Sequence, residues 1–278
     1  MTLEVLAPGL LTTVQDLGRP GAALYGVPPA GAMDPFALMA ANTLVGNDWG
    51  EAALELTVAG PTLRADADCV VAVTGADLEP HVDGRPVPTW WSILLRRGAV
   101  LEFRGRRWGA RAYLGVAGGI AVPVFLGSKS TYLPGGFGGL DGRPLRAGDR
   151  VPVGPPSGDL SLLAGRFLPP ERRPPYGADP VLRVVLGPHR DRFTAAGLAA
   201  LLDGAYTVKP SSDRMGYRLE GPPVEHVCGA DVVSHGLPLG AVQVPGDRQP
   251  IVLMADHQTT GGYAVVGVVA TVDIPLLA

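Results

Sequence analysis

The chain is poor in cysteine, in charge and in long apolar runs. Its 278 residues include two cysteines, Cys69 and Cys228. Two thiols cannot supply a disulfide framework of the kind that staples small secreted domains, and no complete zinc-type spacing surrounds them. Cys69 opens the apolar run 69–73 and reads as core strand, so two buried thiols in a reducing compartment are expected. No run approaches the roughly 18 apolar residues of a membrane span, and no basic segment followed by a long apolar one opens the chain. No signal peptide and no membrane partner are expected, and the cytoplasm follows. Charged residues are 18% of the chain and the net charge is −3, without the basic stripe that a nucleic-acid binder needs. The densest basic stretch, Arg104 to Arg111, reads as a solvated hairpin end.

Familiar catalytic signatures are also missing. Gly127-Ser-Lys-Ser130 has the composition of a phosphate loop, but Ser128 separates the glycine from the lysine and the leading glycine is absent. There is no dinucleotide fingerprint, no Gly-x-Ser-x-Gly elbow and no His-Glu-x-x-His. The five histidines show no ligand spacing, so no resident metal is assigned.

What the chain has in abundance is glycine (39) and proline (28), set between short apolar runs. Turn signals recur at intervals of about ten residues, the pattern of a barrel or sandwich, so the fold class is mainly β with a few helices. Strands are expected at 70–73, 91–95, 100–103, 112–116, 181–186, 205–208, 241–244 and 251–254. Asp34 is a helix cap with Pro35 in the first turn, 36–45 following and Gly46 closing; Thr194 caps a second helix over 195–203 that Gly204 ends. The stretch 154–180 is rich in Pro, Gly, Ser and Arg and is poor strand material. The expected organisation is a first half over 1–155, a linker or crossover over 156–180, and a second half over 181–278. Asp16-Leu-Gly-Arg19 and Asp213-Arg-Met-Gly216, each followed by a Gly-x-Pro…Gly-Ala turn, hint at a duplication.

Three segments are rich in polar groups. Thr12 to Gly21 packs Gln15, Asp16 and Arg19 into a Gly/Pro-rich loop, for which an Asp16–Arg19 turn lock is the plain structural reading. Ser211 to Arg218 holds Asp213 and Arg214, where Arg is suited to clamp a carboxylate or phosphate and Asp213 to position it or act as a base. Ala255 to Tyr263 follows a strand and offers Asp256, Gln258, Thr259 and Thr260, with Gly261 and Gly262 able to bring backbone N–H groups close to an anion. Gln243 is an amide in an apolar strand and needs a partner if buried.

The segments 12–21, 26–34, 53–55 (Ala-Leu-Glu), 74–77, 212–219 and 258–263 together resemble the allophanate-hydrolase-subunit-2-like family, also called the biotin-dependent carboxyltransferase family. Its members include the C component of 5-oxoprolinase, the KipA sporulation regulator and part of the carboxyltransferase region of urea carboxylase. The resemblance runs almost end to end. It implies two tandem cyclophilin-like β-barrels, a KipI-like B component and a LamB/YcsF-like A component as partners, and ATP-dependent opening of 5-oxoproline to glutamate. ATP with Mg²⁺ is then expected at a subunit junction, since this chain shows no nucleotide motif. Two alternatives go with the resemblance: a carboxyltransferase component that uses biotin on a urea or amide substrate, and a non-catalytic regulator that binds a KipI-like kinase inhibitor. Relatives continue into a further strand beyond 273–278, so the last barrel edge is expected to be unpaired. The site expected is a cleft with Asp213, Arg214 and Asp256 as catalytic residues and Gln15, Asp16, Arg19, Gln243, Gln258, Thr259, Thr260, Gly261, Gly262 and Tyr263 binding the substrate. Removing Arg214 is expected to abolish turnover with the fold intact.

Overall fold

The computed structural model describes residues 1–278 and is mainly β, with 34% of residues in strands and 15% in helices. The chain divides into two compact units. The first comprises 1–19, 30–180 and 275–278, and the second comprises 20–29 and 181–274.

In the first unit, a six-stranded antiparallel sheet has the order 150–152, 2–7, 62–65, 100–103, 80–82, 85–86. A five-stranded antiparallel sheet has the order 11–15, 53–57, 108–116, 69–77, 92–95. The core between them joins Leu3, Val5, Leu63 and Leu101 to Val14, Leu54, Leu56, Val71, Val73 and Leu114. The other face of the five-stranded sheet carries the helix Pro35–Val45, whose Leu44 and Val45 pack with Val70 and Ala72. The strand 69–77 is therefore buried on both faces, which explains an unbroken apolar run in place of an alternating one. The helix is built as its sequence dictates. The Asp34 side chain accepts from Ala37 N at 2.8 Å, Pro35 stands in the first turn, and Gly46 ends it with φ +78°. Gly115 lies beneath it, where an added Cβ would sit 3.0 Å from the Ala41 backbone.

The stretch 154–180 belongs to the first unit. It carries a short helix, Leu160–Leu163, and Ser92 N donates to Arg166 O at 2.8 Å. Phe167 stacks on Trp91 with centroids 4.7 Å apart.

The second unit holds a six-stranded antiparallel sheet of order 184–186, 265–269, 241–243, 251–253, 216–220, 207–208. A separate two-stranded pair joins 231–236 to 260–263. Leu237, Ala241, Leu253 and Val265 form its core cluster. The helix Ala195–Asp203 begins where Thr194 accepts from Gly197 N at 2.9 Å and closes at Gly204. Every expected strand is present, but the edge strands are shorter than read, at 184–186 and 207–208. An edge has only one neighbour to hold its ladder. Cys69 is buried and Cys228 exposed, which corrects the expectation of two buried thiols. Cys228 lies in the irregular stretch 227–230, outside any strand, and is exposed.

Candidate functional site

In the first unit, Gln15 ends the strand 11–15 and is fully buried. Its amide donates to Thr13 Oγ1 at 3.0 Å and Thr131 O at 3.2 Å, while its Oε1 has no hydrogen-bond partner. Asp16 collects donors from the segment that resembled a phosphate loop. Its carboxylate accepts from Gly18 N (2.7 Å), Ser128 Oγ (2.7 Å), Ser130 Oγ (2.5 Å) and Lys129 N (2.6 Å). Ser130 N goes to Ser128 Oγ and the Lys129 ammonium to Glu51. The amide hydrogens that would cradle a phosphate are thus taken, and the segment is a clasp on Asp16. The expected Asp16–Arg19 lock takes a different form: Arg19, wholly buried, donates to Ser130 O at 2.5 Å and stands 5.2 Å from the Phe137 ring centre. Both residues bind the same loop.

Sequence reasoning missed a second group in this unit as a site. Asp34 and Glu55 are both 1% exposed. Tyr113 Oη donates to Glu55 Oε2 at 2.7 Å and accepts from Asp34 N at 2.8 Å; Tyr176 Oη donates to Asp34 Oδ2 at 2.6 Å. Met33 N also reaches Glu55, and Arg111 Nε lies 3.8 Å from it. Burial, reinforced by Glu55 and partly offset by the bonds from Tyr176 and Ala37, raises the Asp34 carboxyl to about 6. Burial and the two carboxylates push the Tyr113 phenol well above its ordinary value. The signal was present in Ala53–Thr57, where a lone carboxylate interrupts a strand that is otherwise apolar up to its last residue. Arg111, expected in a solvated hairpin end, instead reaches across to Glu55 on the paired strand 53–57, and its side chain is 9% exposed.

In the second unit the turns 213–216 and 254–257 are clamped together. Arg214 grips Asp256 with both arms, Nε to Oδ2 at 2.9 Å and Nη2 to Oδ1 at 3.0 Å. Asp256 N donates back to Arg214 O at 2.8 Å, and Met254 N to Met215 O at 3.0 Å. Both side chains of the Arg214–Asp256 pair are buried. Asp213 is exposed and its Oδ1 accepts from Met215 N at 2.8 Å. Asp16 makes the same local turn with Gly18 N, so the two Asp turns do share a geometry. Because the pair is buried, removing Arg214 would leave the Asp256 carboxylate without this partner, so a cost to the fold is expected alongside any loss of turnover.

Gln258 donates to Gln243 Oε1 at 3.2 Å, and Gln243 is buried with its Nε2 lacking a partner. The buried His257 ring bonds Gln258 O at 2.7 Å, and burial lowers its pKa. Gly261 and Gly262 were read as a turn; they lie in the strand Thr260–Tyr263, paired with 231–236. A Cβ at 261 would meet Leu237 Cδ1 at 2.7 Å and Gln243 Nε2 at 2.8 Å, so a side chain there would displace the ends of both. Thr259 O accepts from Leu237 N at 3.0 Å, while Thr260 and Tyr263 are exposed at the rim.

Fold and side-chain arrangement define a class: an antiparallel, mainly β chain whose polar residues are drawn into buried carboxylate, amide and guanidinium pairs. The chain belongs to the carboxyltransferase domain family, subdomains A and B, whose model matches residues 25–278. It is 40% identical to the C component of 5-oxoprolinase from Escherichia coli (strain K12), over 99% of this chain and 87% of that protein. It is 32% identical to urea amidolyase of Saccharomyces cerevisiae, over 98% of this chain and 16% of that protein. The solved structure of Kluyveromyces lactis urea carboxylase superposes with a TM-score of 0.87 at 31% identity, covering 99% of this chain and 26% of that chain. The chain thus corresponds to about a quarter or less of the urea-processing relatives and to most of the oxoprolinase component. No helix is long and apolar enough to cross a membrane.

Proposed function

We propose that the chain is the C component of an ATP-dependent 5-oxoprolinase, opening the lactam 5-oxo-L-proline to L-glutamate in the cytoplasm with a KipI-like B component and a LamB/YcsF-like A component. The observation that carries this reading is the 40% identity across 87% of a protein named as the C component of 5-oxoprolinase. A five-membered lactam is an unreactive amide. Phosphorylating its oxygen creates a leaving group and an electrophilic carbon, and that step needs cations and fixed N–H donors around developing charge.

Under this reading the second unit supplies a rigid site. Asp213 sets the turn that presents Arg214, Asp256 holds the guanidinium in one orientation, and Gln243, Gln258 and Thr259 to Tyr263 line the substrate. Gln15, Asp16 and Arg19 form the corresponding polar group of the first unit. The Gly127–Ser130 segment does not fit a phosphate, because its N–H groups are committed to Asp16 and Ser128. ATP with Mg²⁺ is therefore proposed at a junction with another protein of the complex.

The test is glutamate release from 5-oxoproline with ATP by the three components mixed, each omitted in turn. Turnover that needs all three and ATP supports the proposal. Folded, associated components without turnover would overturn it. The family and the urea amidolyase similarity favour a second reading, a carboxyltransferase component using biotin from another chain, which predicts bicarbonate and biotin dependence instead.

A further inference from the structure

The second unit holds three buried polar atoms without hydrogen-bond partners, Arg192 Nε, Gln243 Nε2 and His235 Nε2. The Arg192 guanidinium is anchored through Nη2 to Cys228 O and Asp231 O, which sets it apart from the amide and the imidazole. Their chemistry follows from the bonds their own side chains make elsewhere. Gln243 Oε1 accepts from Gln258, so the free end of the amide is an N–H donor. His235 Nδ1 lies 2.9 Å from Gly236 O. A carbonyl only accepts, so Nδ1 carries the hydrogen, and in the neutral ring Nε2 is a bare acceptor.

His235 lies in the 231–236/260–263 ladder, and the Gln243 amide, from the strand 241–243 of the six-stranded sheet, reaches the same face of it. His235 is paired with Gly261, and directly paired residues project to the same side. A Cβ on Gly261 would point at Gln243 Nε2, 2.8 Å away. The absent side chain therefore leaves the amide and the imidazole on a shared face, whereas Thr260, paired with Gly236, projects to the other. His189 braces the arrangement. Its ring centre is 4.9 Å from that of His235, and its Nδ1 accepts from Val265 N at 3.2 Å. A buried donor and a buried acceptor left open both cost stability, and the chain offers nothing to satisfy them.

We propose that Gln243 and His235 form a subsite for a cis-amide edge, in which the glutamine amide donates to a carbonyl oxygen and His235 Nε2 accepts from the adjacent N–H. Lactams and cyclic ureides carry that pair on one edge; lactones and carboxylates lack the N–H. The choice of 5-oxoproline as the natural occupant rests on the oxoprolinase reading, and a ureido ring has the same edge. Gln243 is then the donor that holds the substrate carbonyl, and His235 is a specificity-determining residue outside the motifs of the family resemblance.

The test is an NMR titration of the full chain with 5-oxoproline, with 2-imidazolidinone, and with the lactone of the same ring size that bears the same carboxylate. Binding of 5-oxoproline should shift the Gln243 side-chain NH₂ and His235 ring signals. The lactone should bind about tenfold more weakly, the loss expected for one hydrogen bond. His235→Phe and Gln243→Met, each checked for an unchanged melting profile, should weaken the lactam by about tenfold or more. Preference for 2-imidazolidinone over 5-oxoproline would retain the subsite and assign it to a ureide. Equal lactam and lactone binding, unchanged affinity in both variants, or no shift of either signal would overturn the proposal. Lactam binding without glutamate release by the three-component mixture would sink the oxoprolinase reading alone. Glutamate release that both variants leave untouched would sink the subsite alone.

Discussion

Arg214 and Asp256 meet through two parallel N–H···O contacts of 2.9 and 3.0 Å in a buried setting, 42 positions apart in the chain. A bidentate pair of this kind fixes direction as well as distance. It ties together the two turns on which the second unit's polar residues stand.

Breaking that pair should be felt in the fold first. Arg214→Ala leaves the Asp256 carboxylate buried without its counter-ion, a cost of about 3–5 kcal/mol. Arg214→Lys keeps the charge but loses the fork, and should lie between the parent and the alanine variant. Urea midpoints of the three proteins provide the measurement. An alanine variant as stable as the parent would mean that Asp256 is neutral or solvated.

Asp34 should make stability depend on pH. Its carboxyl is raised from 3.8 to about 6 in the folded chain, chiefly by burial. The native state therefore binds the proton more tightly than the unfolded one between those values. The stabilisation from the protonated form is full below about 4 and is lost as pH rises through about 6, a change of about 3 kcal/mol. Asp34→Asn, which also caps helices well, should flatten that dependence. Denaturation midpoints of parent and variant compared at pH values on either side of this window decide it; parallel profiles would count against a raised Asp34.

The Asp16 clasp should control the 128–130 loop. Asp16→Ala strands two serine hydroxyls and the N–H groups of Gly18 and Lys129. Leaving several such groups open costs on the order of 3 kcal/mol or more. Amide exchange at Gly18 and Lys129 should accelerate in the variant, with protection of the 69–77 strand much less affected. Unchanged exchange at Lys129 would show that the loop is held by other contacts.

The two thiols should react at very different rates. Cys228 is exposed, whereas Cys69 is buried, with its thiol pushed up to about 12 by burial and by Asp68 and Asp66. A thiol reagent should modify one cysteine in the native chain and the second only on unfolding. Rapid modification of both would mean that the 69–77 strand opens locally.

The sequence by itself determined the elements whose signals are local. Asp34-Pro35…Gly46 and Thr194…Gly204 delimit helices because a cap side chain, a proline ring and a terminal glycine act within one turn of the backbone. The apolar run 69–73 marks a core strand, although what covers each of its faces is set by the packing of the second sheet and the helix 35–45. The two Asp turns at 16 and 213 follow from an aspartate bonding a backbone N–H two residues on. The family, too, is legible from its ordered motifs.

Only the tertiary structure decided which polar groups meet. Asp34 joins Tyr113 across 79 positions and Tyr176 across 142, and Asp16 takes up a loop more than a hundred residues later. It also turned Gly261–Gly262 from a turn into a strand, and left Gln243 and His235 on one face with an open donor and an open acceptor. Propensity and capping act over a few residues, whereas burial sets partners by where sheets pack. A buried carboxylate or amide must then take whatever partner the packing brings to it.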